Sequence, residues 1–460
     1  MYKSDDFRPY LFKTSDYGAT WTKIVNGIAA DHFTRVVRSD RRRKGLLYAG
    51  TERGMYVSFD DGANWQSLQL NLPIVPITDL TLRDDDLIVA TQGRSFWVLD
   101  DITPLQQFGA MPAGRALLFE PRMAWRVGGA TTERALRGHG RNVPQGVIVN
   151  YWLPPDVKTG TKVKMAFLKS DGTVIRALEG EVRPPVEPEK AREQKEASKE
   201  APPAEPEKKT AVKSEGGAAE AQDVEEDDPK AEKEKEKNKL PDSRPGFNRF
   251  AWDMRFPEAK SFDDMVLWGG GTDGPRIVPG TYSVQLAVGE DAPMTVNVTV
   301  KQDPRTAASQ ADLESQLELL LAANRKLSDM HEQIERIREV RKQLGELRTR
   351  LGKDEKTKPV RDAIKDLDKK MTAIEEALYQ TKNRSPQDPL NFPIRLNDKL
   401  ASLSASVETG DFAPTAQHRA IFAQLVEQID PQLAQLRALW EKDLPALNAM
   451  VKEAQVPAVK

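Results

Sequence analysis

The sequence predicts a multidomain chain in which an all-β repeat region precedes a β-sandwich, and a bundle of α-helices follows. Three observations indicate this order. A short turn motif occurs twice near the start, at 14–21 and 58–65. Short β-rich segments continue to about residue 302, and apolar residues at helical spacing fill the remainder. We therefore expect domains at 1–105, 114–302 and 307–452.

The repeated motif reads Ser/Thr-x-Asp-x-Gly-x-x-Trp, and its two copies lie 44 residues apart. At a hairpin tip the Asp carboxylate accepts N–H groups of its own turn, Gly supplies a positive φ, and Trp folds back as an apolar plug. A repeat of about 40 to 50 residues with one turn signature per unit is typical of β-propeller blades. The predicted structural residues are Thr14, Asp16, Gly18, Trp21, Ser58, Asp60, Gly62 and Trp65.

This motif resembles the Asp-box, or BNR repeat, of sialidases, of certain endoglucanases and of sortilin-type propellers. Strand-like segments around the two boxes account for roughly two and a half blades, whereas a ring closes with about four to eight, and with more in the sortilin type. We therefore expect residues 1–105 to form the end of an incomplete propeller. The remaining blades would lie upstream and act as its partner.

Residues 114–302 carry a different β pattern, with short strand-like segments and the turn signals Asp171-Gly172 and Pro279-Gly280. A Gly-x-Asn-x-x-x-Trp-Asp segment at 246–253 adds to this pattern. Together they resemble the immunoglobulin-like β-sandwich that follows many bacterial propellers. The insertion at 184–244 is rich in Pro, Glu, Lys and Ala, so we expect a disordered loop, with a flexible tether as the alternative.

The last region predicts an antiparallel helical bundle with coiled-coil character. Apolar residues recur every three or four positions in four segments, and the first segment also contains seven-residue steps. Pro431 and Pro445 should kink the last helix unless they occupy first-turn positions. We expect these apolar stripes to form core, and an oligomer through this region is the alternative.

Few residues carry chemistry. The chain has no Cys, and its four histidines, His32, His139, His331 and His418, lack metal-ligand spacing, so no metal or cofactor is expected. Residues 269–274 fit G-x-G-x-x-G, but no helix follows them, and we interpret them as a loop. The basic run at 41–44 could contact an anionic glycan, although an exposed loop is the simpler interpretation.

Glycoside hydrolysis needs two carboxylates that face each other across one bond. Asp16 and Asp60 should be occupied by their own turns, and residues 84–86 read as a solvated hairpin turn. Asp100 and Asp101, at a strand end, are the carboxylates of interest, although a capping role is favoured for them. The candidate residues at the propeller mouth are Arg53, Arg94, Asp100 and Asp101.

The domain order resembles the C-terminal part of large bacterial BNR-repeat, sortilin-type propeller proteins, which are often described as glycosyl hydrolases. This resemblance implies a periplasmic or extracellular location, although no signal peptide is visible. A net charge of −2 argues against nucleic acid, and no apolar run approaches the length of about 18 residues that spans a membrane.

Two functions follow from the resemblance. The first is a non-catalytic module that recognises a glycan or peptide and supports assembly. The second is part of a glycoside hydrolase whose catalytic carboxylates lie in blades outside this chain.

Overall fold

The computed structural model describes residues 4–109, 114–127, 142–184, 240, 242–352 and 354–454. Nearly all of the predicted insertion at 184–244 lies outside the described residues, as does His139. The described chain is β-rich up to residue 302 and helical after residue 309. It is therefore a multidomain chain with a C-terminal helical region.

The chain divides into two compact units. The first unit comprises Met1–Arg122, Gly140–Ala251 and Tyr282–Val298, and the second comprises Met123–His139, Trp252–Thr281 and Thr299–Lys460. This division differs from the domain boundaries expected from sequence. Residues 252–281, which the sequence places within the sandwich, belong to the unit that contains the helices.

The repeat region of the first unit consists of short strands. They are β1 (Phe12–Lys13), β2 (Thr22–Lys23), β3 (Thr34–Ser39), β4 (Leu47–Thr51), β5 (Gly54–Ser58), β6 (Gln66–Ser67), β7 (Ile77–Arg83), β8 (Asp86–Thr91) and β9 (Phe96–Leu99). They form antiparallel sheets in the orders β1-β2, β3-β4-β5-β6 and β7-β8-β9. The helix α1 (Thr103–Gln107) follows the last of these strands.

The four-stranded sheet is apolar on both faces. Tyr48 and Val57 belong to a core cluster shared with β7 and β8, whereas Ala49 and Tyr56 belong to a second cluster with Ile28 and Trp65. Adjacent strand residues point to opposite faces, so the two clusters cover the two sides of the sheet. The sheet is thus buried between its neighbours along the chain.

The described residues between 114 and 302 also form strands, most of them in the first unit. In chain order the elements are β10 (Leu117–Leu118), β11 (Ala124–Arg126), β12 (Val147–Leu153), β13 (Lys162–Lys169), β14 (Val174–Glu181), β15 (Gly246–Trp252), β16 (Gly280–Val288) and β17 (Met294–Gln302). Strand β12 lies between β10 and β15, and a second sheet has the order β17-β16-β13-β14. The short β11, in the second unit, pairs in parallel with the last residues of β17. Every residue of β12 is buried, whereas buried residues alternate along β13 up to Phe167.

The predicted amphipathic segments of the second unit form helices. They are α2 (Gln310–Leu351), α3 (Lys358–Leu378), α4 (Leu396–Val407), α5 (Ala416–Ala438) and α6 (Leu444–Glu453). Pro431 lies inside α5, which continues through it, and Pro445 occupies the first turn of α6. A π-helical turn, Leu439–Asp443, separates these two helices.

Residues 252–281 form part of the helical core. Ala259 and Phe262 belong to the same buried cluster as the helix residues. The Phe262 ring meets Tyr379 and His331 edge-on, with centroids 5.0 and 5.3 Å apart. This segment therefore contributes to the helical unit as an apolar element and is more than a surface loop.

Candidate functional site

The first Asp box forms a closed hydrogen-bond network around Asp16. Its carboxylate accepts the Thr20 N–H at 2.9 Å and the hydroxyls of Thr20 and Thr14 at 2.6 and 2.8 Å. Hydrogen bonds from Thr20 and Thr14 lower the pKa of Asp16 to about 2. Gly18 has φ of 95°, and its N–H donates to the Thr14 hydroxyl at 2.8 Å. The carboxylate is thus occupied by its own turn, as predicted.

The second box repeats this network around Asp60. The carboxylate accepts the Asn64 N–H, the Asn64 side-chain N–H and the Ser58 hydroxyl, each at 2.8 Å. Burial acts to raise the pKa of Asp60, but the hydrogen bonds from Asn64 and Ser58 outweigh it and lower that pKa. Gly62 has φ of 89°. Neither Asp-box carboxylate is available as a catalytic acid or base.

The two tryptophans of the boxes differ. Trp65 is 3% exposed, and its indole N–H donates to the Ile24 carbonyl at 2.9 Å. Trp21 is 59% exposed, and its indole N–H donates to Gly18 of its own turn at 3.1 Å. Trp65 is therefore an apolar plug. Trp21 is largely exposed and is not a plug, although the sequence predicts this role for both tryptophans.

Asp101 is buried and fully engaged. One carboxylate oxygen accepts the N–H and hydroxyl of Thr103 at 3.2 and 2.6 Å, and the other accepts the Asn150 side-chain N–H at 2.9 Å. Its own N–H donates to Asp86 at 2.9 Å. The side chain fixes the turn after β9 and ties it to β12, which fits the capping role that the sequence favoured.

Asp100 lies in a different electrostatic setting. Burial raises the pKa of Asp100, and the neighbouring Asp86 raises it further, while Arg122 and Arg249 act in the opposite direction. Arg122 pairs with Asp86 at 3.0 Å, and Arg249 donates to the Asp100 carbonyl at 3.2 Å. Asp100, with a raised pKa, thus lies near a second carboxyl group and two guanidinium groups.

The two arginines expected at the propeller mouth lie apart from this cluster. Arg53 pairs with Asp31 at 3.3 Å, and Arg94 is exposed, with its carbonyl accepting the Trp97 indole N–H at 3.0 Å. Among the described residues, neither arginine bonds to Asp100 or Asp101. The neighbours that sequence reasoning missed, Asn150 and Arg249, come from β12 and β15, and no local pattern signals them.

Part of the basic run at 41–44 has a structural role. Arg43 donates to the carbonyls of Leu105 and Phe108 and lies over the Phe59 ring, 5.2 Å from its centre. Arg42 pairs with Asp85 at 3.1 Å. Two of the four cations are therefore already engaged within the first unit, which weakens the interpretation as an anion site.

Glycines within 269–274 allow this loop to pack closely against the main chain of neighbouring segments. A Cβ atom at Gly270 would lie 2.2 Å from the Ala401 carbonyl oxygen, and one at Gly274 would lie 1.9 Å from that of Phe256. The N–H groups of Trp268 and Gly269 donate to Asp398 at 2.9 and 3.0 Å. The loop is thus filled by α4 and its carboxylate, and it has no role as a phosphate cradle.

The second unit also holds an ionic cluster. Arg126 pairs with Asp411, Arg255 pairs with Glu408 at 2.7 Å, and Arg276 lies 3.5 Å from the same carboxylate. Burial lowers the pKa of Arg276, and the nearby arginines add to this effect. The adjoining cavity, of about 20 Å³, holds roughly one water molecule. This cluster therefore cross-links the helical unit and offers no room for a substrate.

The described histidines have structural partners. His32 bonds to the Tyr56 hydroxyl at 2.8 Å, and His331 is buried between the Lys260 carbonyl and Asn397. His418 caps the start of α5. Across the described ranges, no three His, Cys, Asp or Glu side chains are grouped to hold a metal ion. Within the same ranges, no helix is both long and apolar enough to cross a membrane.

Comparison with known proteins gives little. No protein-family model matches this chain, and a search of curated proteins returns no match. Among solved structures, the extracellular domain of a hybrid two-component system from B. thetaiotaomicron aligns at 10% sequence identity with a TM-score of 0.17. The alignment covers 64% of this chain and 34% of the other, so this chain spans about a third of that domain's length. A TM-score this low does not establish a shared fold.

Proposed function

We propose that this chain is the non-catalytic C-terminal part of an exported BNR-repeat propeller protein and serves recognition and assembly. The observation that carries this proposal is that three aspartate carboxylates are occupied by hydrogen bonds in turns and loops. Asp16, Asp60 and Asp101 are each committed to hydrogen bonds that hold a turn. Apolar residues on both faces of the four-stranded sheet further support stacked blades.

Under this proposal the remaining regions support the propeller. The strands from β10 to β17 are proposed to be the immunoglobulin-like sandwich, and the helices to mediate support or assembly with other chains. A periplasmic or extracellular location follows from the resemblance of the two Asp boxes to exported propellers. The ligand class is a glycan or a peptide bound by loops of the repeat region.

Recognition is proposed to involve the exposed loop that carries Arg94. The neighbouring Phe96 is 74% exposed, so a cation and an aromatic ring are both accessible there. A glycan and peptide array probed with the purified chain tests this proposal. We expect binding that Arg94→Ala and Phe96→Ala weaken and that Arg83→Ala, at a different turn, leaves unchanged. The absence of any binding would contradict the proposal.

The second candidate function is glycoside hydrolysis, with the catalytic carboxylates expected in blades outside this chain. Within this chain, Asp100 is the carboxyl to test, because burial and the neighbouring Asp86 raise its pKa, as a general acid needs. The test is turnover of sialoside and glucan substrates by the same chain. Turnover that Asp100→Asn abolishes would replace the first function with this one.

A further inference from the structure

The second Asp box is covered by a segment that follows the first box. We call residues 24–28 the covering segment. The Ile24 carbonyl accepts the Trp65 indole N–H, and the Asn26 carbonyl accepts the Trp65 main-chain N–H, both at 2.9 Å. The Asn26 side chain donates to Asn64 at 2.7 Å, and Ile28 shares a core cluster with Trp65. The cover therefore satisfies both N–H groups of the tryptophan and buries its ring.

The fit of this cover is close. A Cβ atom at Gly62 would lie 2.5 Å from the Ile24 side chain, so Ile24 occupies the space beside that glycine. A Cβ atom at Gly27 would lie 2.2 Å from the Trp65 carbonyl oxygen, and Gly27 has φ of 92°. Only glycine suits that position, because a side chain would both strain the main chain and collide with the box.

The first box has the same turn without the cover. At Gly18, a Cβ atom would meet only Trp21 of the same turn, at 3.8 Å. The side chains of Tyr17, Trp21 and Phe12 are exposed. We call Phe12, Tyr17, Gly18 and Trp21 the open box surface. Phe12 stacks on Tyr10 with ring centroids 6.4 Å apart, but among the described residues no segment covers Trp21 as residues 24–28 cover Trp65.

The internal repeat indicates what fits this surface. Ile24 precedes Trp65 by 41 residues. The box that begins at Thr14 is the earlier copy of the same unit, so in the proposed propeller its matching cover comes from a preceding repeat. Because the two turns share their hydrogen bonds, a segment that suits one box has the chemistry to suit the other.

We propose that the open box surface binds a polypeptide segment of the covering type, in which an isoleucine precedes an Asn-Gly turn. The isoleucine fills the space beside Gly18, and its carbonyl replaces the Gly18 carbonyl as the acceptor of the Trp21 indole N–H. The asparagine carbonyl then accepts the Trp21 main-chain N–H. This inference rests on the proposed function only for the source of the segment, which is a preceding repeat of the same propeller.

The test extends the full chain at its N-terminus with a copy of its own residues 1–44. That copy places a second covering segment 41 residues before Trp21, as Ile24 precedes Trp65. Tryptophans labelled with 5-fluorotryptophan report exposure by ¹⁹F NMR, and Trp21→Phe assigns the resonance. The ¹⁹F resonance of an exposed tryptophan shifts between H₂O and D₂O. We expect the Trp21 resonance to lose this shift in the extended chain. The matched control carries Ile24→Asp and Gly27→Val in the copy alone, and there the shift should persist.

Thermal melting shows whether the added copy folds onto the chain. Trp21→Ala should lower the melting temperature of the extended chain and leave that of the original chain unchanged. Equal exposure of Trp21 in the extended and control chains would overturn the inference. So would protection of Trp21 in the original chain that grows with protein concentration, because a second copy would then be the occupant. Array binding by the original chain is measured separately, so loss of the proposed function would show independently.

Discussion

The Asn150 side chain donates to the buried carboxylate of Asp101 at 2.9 Å and so ties β12 to the turn after β9. Replacing Asp101 with Ala would leave this donor and the Thr103 N–H without their acceptor. We expect the free energy of unfolding to fall by about 1–3 kcal/mol, as for other buried groups that lose a partner. Denaturant titration of Asp101→Ala measures the loss. Asp31→Ala, on an exposed side chain, should change stability by less than about 0.5 kcal/mol.

Asp100 should make stability depend on pH. Its pKa is raised in the folded chain, so the unfolded chain releases this proton at lower pH than the folded chain does. The free energy of unfolding therefore falls as pH rises from about 3.8 through the raised pKa. Asp100→Asn removes this contribution and should be more stable than the parent at pH 7, with a difference that shrinks toward pH 3.

Denaturant titrations of Asp100→Asn and the parent between pH 3 and pH 7 check this dependence. Asp84→Asn is the matched control, because Asp84 is 86% exposed and asparagine tolerates its φ of 49°. The control should show the same pH profile as the parent. A difference between Asp100→Asn and the parent that stays constant over this range would mean that Asp100 ionises like an exposed carboxyl.

The two tryptophans of the Asp boxes should respond differently to truncation. Trp65→Ala removes a buried ring and should cost about 3–5 kcal/mol. Trp21→Ala, at the equivalent position of the exposed box, should cost about 0.5 kcal/mol or less. Thermal melting of both variants tests the pair. Equal losses would show that Trp21 is buried in solution.

The Asp boxes could be predicted from the sequence because each box completes its hydrogen bonds within one turn. The donors to Asp16 and Asp60 lie within four residues of them, so a local pattern contains the whole network. The exposure of Trp21 could not be predicted in this way. The burial of Trp65 depends on a segment 41 residues earlier in the chain, and the box pattern alone does not show that Trp21 has no such cover.

Local sequence patterns do not predict which residues surround Asp100. They also do not predict that residues 252–281 belong to the helical unit. Asn150 and Arg249 reach the turn after β9 from strands distant in sequence, and neither stands out in composition. Residues 252–281 fall within 114–302, the range expected to form the sandwich. Phe262 instead belongs to the core of the helical unit, and an isolated aromatic residue in a loop gives no signal of this.

The glycine loop provides a direct test of close approach to α4. Gly270→Ala would place a methyl group 2.2 Å from the Ala401 carbonyl oxygen, and relieving that collision should cost about 1–3 kcal/mol. Gly271→Ala is the matched control, since its nearest neighbour lies 3.9 Å away. Denaturant titrations followed by helical circular dichroism compare the two. A phosphate-binding loop would give the opposite result, with stability unchanged and anion affinity altered.

Phe262 tests whether residues 252–281 stabilise the helical unit. Phe262 is 7% exposed, and its ring contacts the rings of Tyr379, the residue after α3, and of His331 in α2. Phe262→Ala leaves a cavity among these groups and should cost about 3–5 kcal/mol in the transition that reports helix loss. Phe96→Ala, which removes an exposed ring from the first unit, should leave that transition unchanged. If Phe262→Ala also leaves it unchanged, the helices hold their core without this segment, and residues 307–452 would suffice as a domain.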